Sequence, residues 1–171
     1  MKNIFLYIKG PFKWVTRLPI VMFLTNAVKF RRELAQHSWW DYHFTLLMMR
    51  RSFMIIKEGL ENKGIEVEEH RKPKIQKLSR VVQILDNICD SRYIDLAEYE
   101  LGELRGKSFA EETEEEKVHN RKVFLRADEI ENSEWHELWS ILEGQDKSDF
   151  ISGKKKFEEW FDGSDMRSWW D

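Results

Sequence analysis

Glu116-Lys117-Val118-His119 sets a carboxylate and an imidazole three residues apart, which places both on one helix face, the arrangement that di-iron bundles use in pairs. A second copy is missing, because the residues three places before His37, His43, His70 and His136 are Leu34, Trp40, Val67 and Ser133. His136-Glu137 lacks the partner that would complete a His-Glu-x-x-His zinc site. Cys89 is the only cysteine, which excludes a cysteine-based zinc site and an intramolecular disulfide, and points to a reducing, intracellular setting. His119 is therefore read as a surface residue, with no metal or other cofactor expected. The chain also has no glycine motif that cradles phosphate and no serine or cysteine nucleophile with a recognisable local signature. No catalytic residue is assigned.

Carboxylates offer a second chemistry. The run Glu98-Tyr99-Glu100-Leu101-Gly102-Glu103 resembles the acidic helix motif of all-α nucleotide pyrophosphatases of the MazG type, in which Glu-Glu-x-x-Glu and a later Glu-x-x-Asp hold magnesium against a triphosphate. The resemblance covers a few residues and implies a magnesium-dependent hydrolase relying on Glu100 and Glu103. Tyr99 stands where the first of three carboxylates belongs, and downstream the spacing is Asp128-x-x-Glu131. Near-octahedral magnesium sites depend on carboxylate placement, so this is the weakest of the functional readings.

The most unusual pattern is aromatic. Ser38-Trp39-Trp40-Asp41 recurs as Ser168-Trp169-Trp170-Asp171, and the two copies contain four of the eight tryptophans. In a structural reading, Ser or Asp caps a helix while Trp closes one end of the core. In a binding reading, Trp39, Trp40, Trp169 and Trp170 form a cage that stacks on a planar ligand such as a base, with Arg51, Arg71 or Arg80 supplying contacts to phosphate.

Charge divides the chain. Residues 1–36 contain seven Lys or Arg (Lys2, Lys9, Lys13, Arg17, Lys29, Arg31, Arg32) against Glu33 alone, a net +6; the other 21 basic and 30 acidic residues give the remainder −9. A basic, aromatic arm (Phe5, Tyr7, Phe12, Trp14, Phe23, Phe30) thus precedes an acidic body. Such an arm suits nucleic acid, an anionic surface, or the acidic body itself, with Lys9, Lys13, Arg17, Lys29, Arg31 and Arg32 as the contacts. Leu18 to Leu24, interrupted by Pro19, is its longest apolar run, well short of the roughly 20 residues a transmembrane helix needs. Lys9 also cuts short the apolar stretch that a signal peptide would require.

The elements that must position these residues read as helices. At 171 residues with 42% apolar content, one domain is expected: an acidic helical body from 37 to 171 behind the arm of 1–36. Tyr42, Leu46, Met49, Phe53, Ile56 and Leu60 form one helical stripe; Ile75, Leu78, Val82, Leu85 and Cys89 form a second. The polar segment Glu66 to Lys72 between them reads as a loop, with the second helix starting at Pro73. These two helices are expected to form an antiparallel hairpin, extended to a bundle of five or six helices. A third helix carries Tyr93, Ile94, Ala97 and Leu101 inward and stops at Gly102. Thr113 and Glu116 match a capping box, which gives the acid run Glu111 to Glu116 a structural purpose at the positive end of a helix. A break is expected near Asn132-Ser133, then a short helix with Phe157, Trp160 and Phe161 before Gly163. No segment alternates long enough for a strand, so the fold class is all-α.

Trp39-Trp40-Asp41-Tyr42 opening a Leu-rich helix, Asp90 and Tyr93 after the next helix, Leu101-Gly102 and the ending Trp169-Trp170-Asp171 resemble small helical proteins encoded by tailed bacteriophages. The likeness spans most of the chain on scattered residues and implies no catalytic residue. It implies a context, the cytoplasm of an infected bacterium, with the virion as the alternative location. The functional expectation is a non-catalytic binding protein that captures a host protein or a nucleotide-like ligand, in host interference or counter-defence. The alternative is a particle-associated structural or DNA-contacting protein. The aromatic surplus further suggests a homo-oligomer.

Overall fold

The computed structural model describes residues 19–36, 42–63, 66–106 and 112–169, and all regular structure within them is helical. In chain order these are α1 (Pro19–Lys29), α2 (Arg31–Ala35), α3 (Tyr42–Lys63), α4 (Glu68–Cys89), α5 (Tyr93–Leu101), α6 (Glu114–Glu143), α7 (Ser148–Ile151), α8 (Phe157–Trp160) and a 3-10 turn, Met166–Ser168. The protein is thus an all-α bundle, as its hydrophobic spacing requires. The chain divides into two compact units, 1–51 and 52–171, the division falling in sequence within α3.

In the first unit, Phe30 N–H donates to Asn26 O and Leu34 N–H to Phe30 O (both 2.9 Å), carrying α1 into α2 with little interruption. Arg51 Nε donates to Lys29 O at 3.1 Å, so a guanidinium from α3 satisfies one of the carbonyls that α1 exposes at its end.

In the second unit, α6 packs against both α5 and α4. Leu78, Val81, Ile84 and Leu85 of α4, Tyr93 and Ala97 of α5, and Val123, Ala127, Leu138, Ile141 and Leu142 of α6 are buried, as are Phe53 and Leu60 of α3. Thr113 makes the expected capping box: its hydroxyl accepts from Glu116 N–H (3.3 Å), and the Glu116 carboxylate accepts from Thr113 N–H (2.7 Å).

Three features depart from the sequence reading. First, α4 begins at Glu68 and contains Pro73. Glu68 and Glu69 occupy its first turn, at the positive end of the helix dipole, and His70 and Arg71 N–H both reach Val67 O at 3.1 Å. The segment Glu66–Lys72 is therefore mostly the first turns of a helix rather than a loop. Second, α6 runs unbroken through Asn132 and Ser133. Asn132 places its amide on the carbonyl of Asp128 (2.9 Å), one turn back, without interrupting the ladder, and burial continues from Val123 and Ala127 to Glu134, Leu138 and Ile141. Third, Tyr42, Ile94 and Leu101, expected inward, are exposed. α5 is only nine residues long, so a narrow stripe, Tyr93 and Ala97, suffices to seat it.

Candidate functional site

Two glycines fix the segment that builds the candidate site. Gly144 ends α6 at φ +80 and Gly163 sits at φ +83. A Cβ on Gly163 would lie less than 3.0 Å from the Pro73 carbonyl and the Lys74 amide; one on Gly144 would collide with the Asp165 backbone. Both positions need glycine twice over, for the left-handed conformation and for close backbone approach. The chain from 161 to 169 is thereby wedged between the start of α4 and the end of α6, with Asp165 N–H donating to Ile141 O at 3.0 Å. Trp169 closes the wedge. It is 2% exposed, its indole N–H donates to Gly163 O at 2.8 Å, and its ring meets Phe53 edge-on, centroids 5.7 Å apart.

Around this wedge opens a cleft of about 260 Å³, lined by Glu66, His70 and Lys74, by Phe157, Trp160 and Phe161, and by Lys147, Ser164, Asp165 and Ser168. Glu66, His70 and Lys74 follow one another at +4, which sets them on one side of α4 and its leading residues. Phe157, Trp160 and Phe161 come from the single turn of α8 and its end. Phe157 stacks on Phe161 (5.0 Å, 13°), Phe150 stacks on Trp160 (5.4 Å, 21°), and His70 stands edge-on to Phe157 and Phe161 at 5.1 and 5.9 Å. The Trp160 indole N–H is held by Asp146 O (2.9 Å). One wall is therefore a fixed aromatic surface.

The other wall carries paired charges. Lys74, buried, makes a short ion pair to Oε1 of Glu66, while Glu66 Oε2 is shielded from solvent with no hydrogen-bond donor among the described residues. Lys147 Nζ lies 3.2 Å from Asp165 Oδ2 and 5.9 Å from the Trp160 ring centre. Asp165 is a non-glycine residue at φ +78, a conformation that costs of order 1–3 kcal/mol and persists only where the surroundings impose it. Here they do, because Arg167 reaches its carboxylate through the backbone N–H (3.0 Å), Nε (2.7 Å) and Nη2 (3.1 Å). Burial alone would raise the Asp165 pKa; the Arg167 bonds and Lys147 outweigh it and hold the group below the usual carboxylate range. Three cations, Lys74, Lys147 and Arg167, meet two carboxylates, and Glu66 Oε2 has no hydrogen-bond donor among the described residues.

None of the described ligand-binding residues singled out from sequence lines the cleft. Trp39, Trp40, Trp170, Lys9, Lys13 and Arg17 lie outside the described residues. Trp169 is buried behind the segment that floors the cleft, so it presents no free face for stacking. Arg80 is held by two carboxylates of α6, at 2.8 and 2.5 Å to Glu137 and 3.0 Å to Glu134. Buried Glu134 also accepts from Asn87 Nδ2 (3.0 Å) and Tyr93 Oη (3.0 Å). This network joins α4, α5 and α6. Burial, then the Glu134 charge, pushes the Tyr93 phenol upward, and Arg80 draws the Glu137 carboxyl down. Arg51 serves the first unit, Arg71 is half-buried on α4, and Lys29, Arg31 and Arg32 follow the α1 stripe.

The acidic motif is also structurally occupied. Glu98 accepts from Leu104 N–H (2.8 Å), and Glu100 pairs with Arg126 (2.6 Å). His119 Nε2 lies 3.0 Å from Glu103 O, and Glu116 caps its own helix. No group of three or more His, Cys, Asp or Glu able to hold a metal occurs among the described residues.

Sequence reasoning missed Glu66, His70, Lys74, Lys147, Phe157, Trp160, Phe161 and Asp165 as one site. The +4 spacing of Glu66, His70 and Lys74 was a usable signal, obscured by reading 66–72 as a loop. Compared with protein-family models, with curated proteins and with solved structures, the chain matches none.

Proposed function

We propose that this protein is a non-catalytic binding protein that captures a flat, nucleobase-like ligand in the cleft between the start of α4 and α8, in the infected-cell setting that the phage resemblance implies. The observation that carries the reading is an aromatic wall beside Glu66, whose carboxylate oxygen Oε2 is shielded and has no donor among the described residues. An unsatisfied buried acceptor costs about 1–3 kcal/mol, more when charged; a ring N–H or exocyclic amine turned toward it relieves that cost. Phe157, Trp160, Phe161 and His70 supply apolar faces on which a planar ring stacks, at about 1–3 kcal/mol per base. Lys74 and Lys147 are each already held by a carboxylate, Glu66 and Asp165, so the reading assigns recognition to the base rather than to a phosphate.

The test is a calorimetric titration of the full chain with guanosine, adenosine and cytidine. Guanosine, with adjacent ring and amino donors, is expected to bind tightest, and Glu66→Gln to weaken it about tenfold, the loss of one charge-assisted hydrogen bond. No response to any of the three, or identical affinities in Glu66→Gln and Trp160→Ala, refutes the reading.

A further inference from the structure

We infer that α1 is an interfacial helix that binds the surface of an anionic lipid bilayer. Its residues Ile20, Phe23, Leu24, Ala27 and Val28 follow the spacing i, i+3, i+4, i+7, i+8, which draws a continuous apolar stripe along one side of a helix and normally marks the side turned to a core. Here it is turned outward: Ile20, Phe23, Leu24 and Val28 are 57 to 68% exposed, and no residue of α1 is buried. The opposite side holds Thr25, Asn26 and Lys29 together with Val21 and Met22. Such a stripe, left in water, must be covered by something.

Charge and length identify the cover. Lys29, Arg31 and Arg32 follow the stripe directly and Lys9, Lys13 and Arg17 precede it in sequence, while Glu33 is the one acid in residues 1–36. Basic residues bordering an apolar helical face are what an anionic headgroup layer recognises. Eleven residues rise about 16 Å, half of a bilayer core of about 30 Å, and no described helix is long and apolar enough to cross a membrane. The helix therefore lies in the surface. Nucleic acid would engage the basic residues but leave Ile20, Phe23, Leu24 and Val28 in water. A second copy that met it stripe to stripe would bring two +6 segments together. An anionic bilayer satisfies both the stripe and the charge.

The experiment is co-sedimentation of the full chain with large vesicles of phosphatidylcholine alone and of phosphatidylcholine with about 30% phosphatidylglycerol, alongside sedimentation velocity without lipid. The protein is expected to pellet with the anionic vesicles and not the neutral ones, and to be released as salt rises. Leu24→Glu is expected to lower the partition at least about tenfold, by removing buried methylenes and adding a like charge; its circular dichroism stays unchanged, because Leu24 supports no core. The triple variant Lys29→Gln, Arg31→Gln, Arg32→Gln lowers partition to anionic vesicles and weakens the salt dependence. Equal pelleting with both vesicle types, or none with either, overturns the inference. So does a dimer that Leu24→Glu dissociates, which would make the stripe a contact between copies. Guanosine binding in the cleft is unaffected by either variant, so the two proposals fail separately.

Discussion

Replacing Gly163 by Ala tests whether the segment 161–169 is locked by backbone contact. The new Cβ meets the Pro73 carbonyl and the Lys74 amide, and no side-chain rotation relieves a clash between backbones. Left-handed φ adds about 1 kcal/mol for an alanine, and overpacking a tight contact typically adds 1–3 kcal/mol. The total is bounded above by the cost of letting the segment go. Undocking exposes Trp169 and breaks its contact with Phe53, the loss that Trp169→Ala would cause directly, roughly 3–5 kcal/mol. Gly163→Ala is therefore expected to cost about 3–4 kcal/mol. Gly153 is the control, since it has φ +72 with open space around its missing Cβ, so Gly153→Ala should cost only the conformational share, about 1 kcal/mol. Urea unfolding followed by far-UV circular dichroism gives each value. The double variant Gly163→Ala, Trp169→Ala decides the mechanism: if both act by undocking one segment, it costs little more than the worse single variant, a coupling of roughly 3 kcal/mol. A Gly163→Ala loss no larger than that of Gly153→Ala, or fully additive costs in the double variant, would refute the reasoning.

Other consequences are open to simple measurements. Burial would raise the pKa of Asp162, but its bonds from the Ser164 hydroxyl and N–H and its pair with Lys77 (3.0 Å) outweigh that and lower it to about 2. A depressed carboxylate stabilises the fold fully above its unfolded value, near 4, and the contribution, about 1–2 kcal/mol, is lost as pH falls toward 2; urea midpoints at pH 5, 3 and 2 should show this limb, and Asp162→Asn should flatten it. Arg80→Met leaves buried Glu134 with only the Asn87 and Tyr93 donors among those described and should cost about 2–3 kcal/mol, below the full value for a buried pair because Arg80 is partly exposed; a neutral or stabilising result would show that the network is replaceable by packing. Thr113→Ala removes the capping hydroxyl of α6 and should cost about 1 kcal/mol in thermal or urea unfolding, restored by Ser at the same position.

What the sequence disclosed was what neighbours in the chain decide. The Thr113–Glu116 box, the stop at Gly102 and the short aromatic helix before Gly163 depend on residues within a turn of each other, and each was legible. Lys74 and Glu134 were not, because each stands in a helix stripe where an apolar residue is the natural expectation, and each is made tolerable by a partner that is distant in sequence or in another element. The start of α4 was hidden for a related reason: a proline normally marks a first turn, whereas Pro73 sits a turn further in, its carbonyl side closed by Gly163 from 90 positions downstream. The repeated Ser-Trp-Trp-Asp illustrates the same limit. Its second copy is built into a core by Trp169, through Gly163 and Phe53, and the stacking wall that the repeat suggested is made instead by Phe157, Trp160, Phe161 and His70.

The wedge also makes recognition and cohesion one equilibrium. Ser164, Asp165 and Ser168 face the cleft while Trp169, the next residue, plugs the core. A molecule that occupies the cleft binds only the docked form, and each tenfold excess over its dissociation constant adds about 1.4 kcal/mol to the free energy of opening. The amide of Asp165, bonded to Ile141 O, would report this directly. Its exchange with deuterated solvent proceeds through opening of the segment, slowing in proportion to ligand, while amides on the exposed flank of α5 exchange as before.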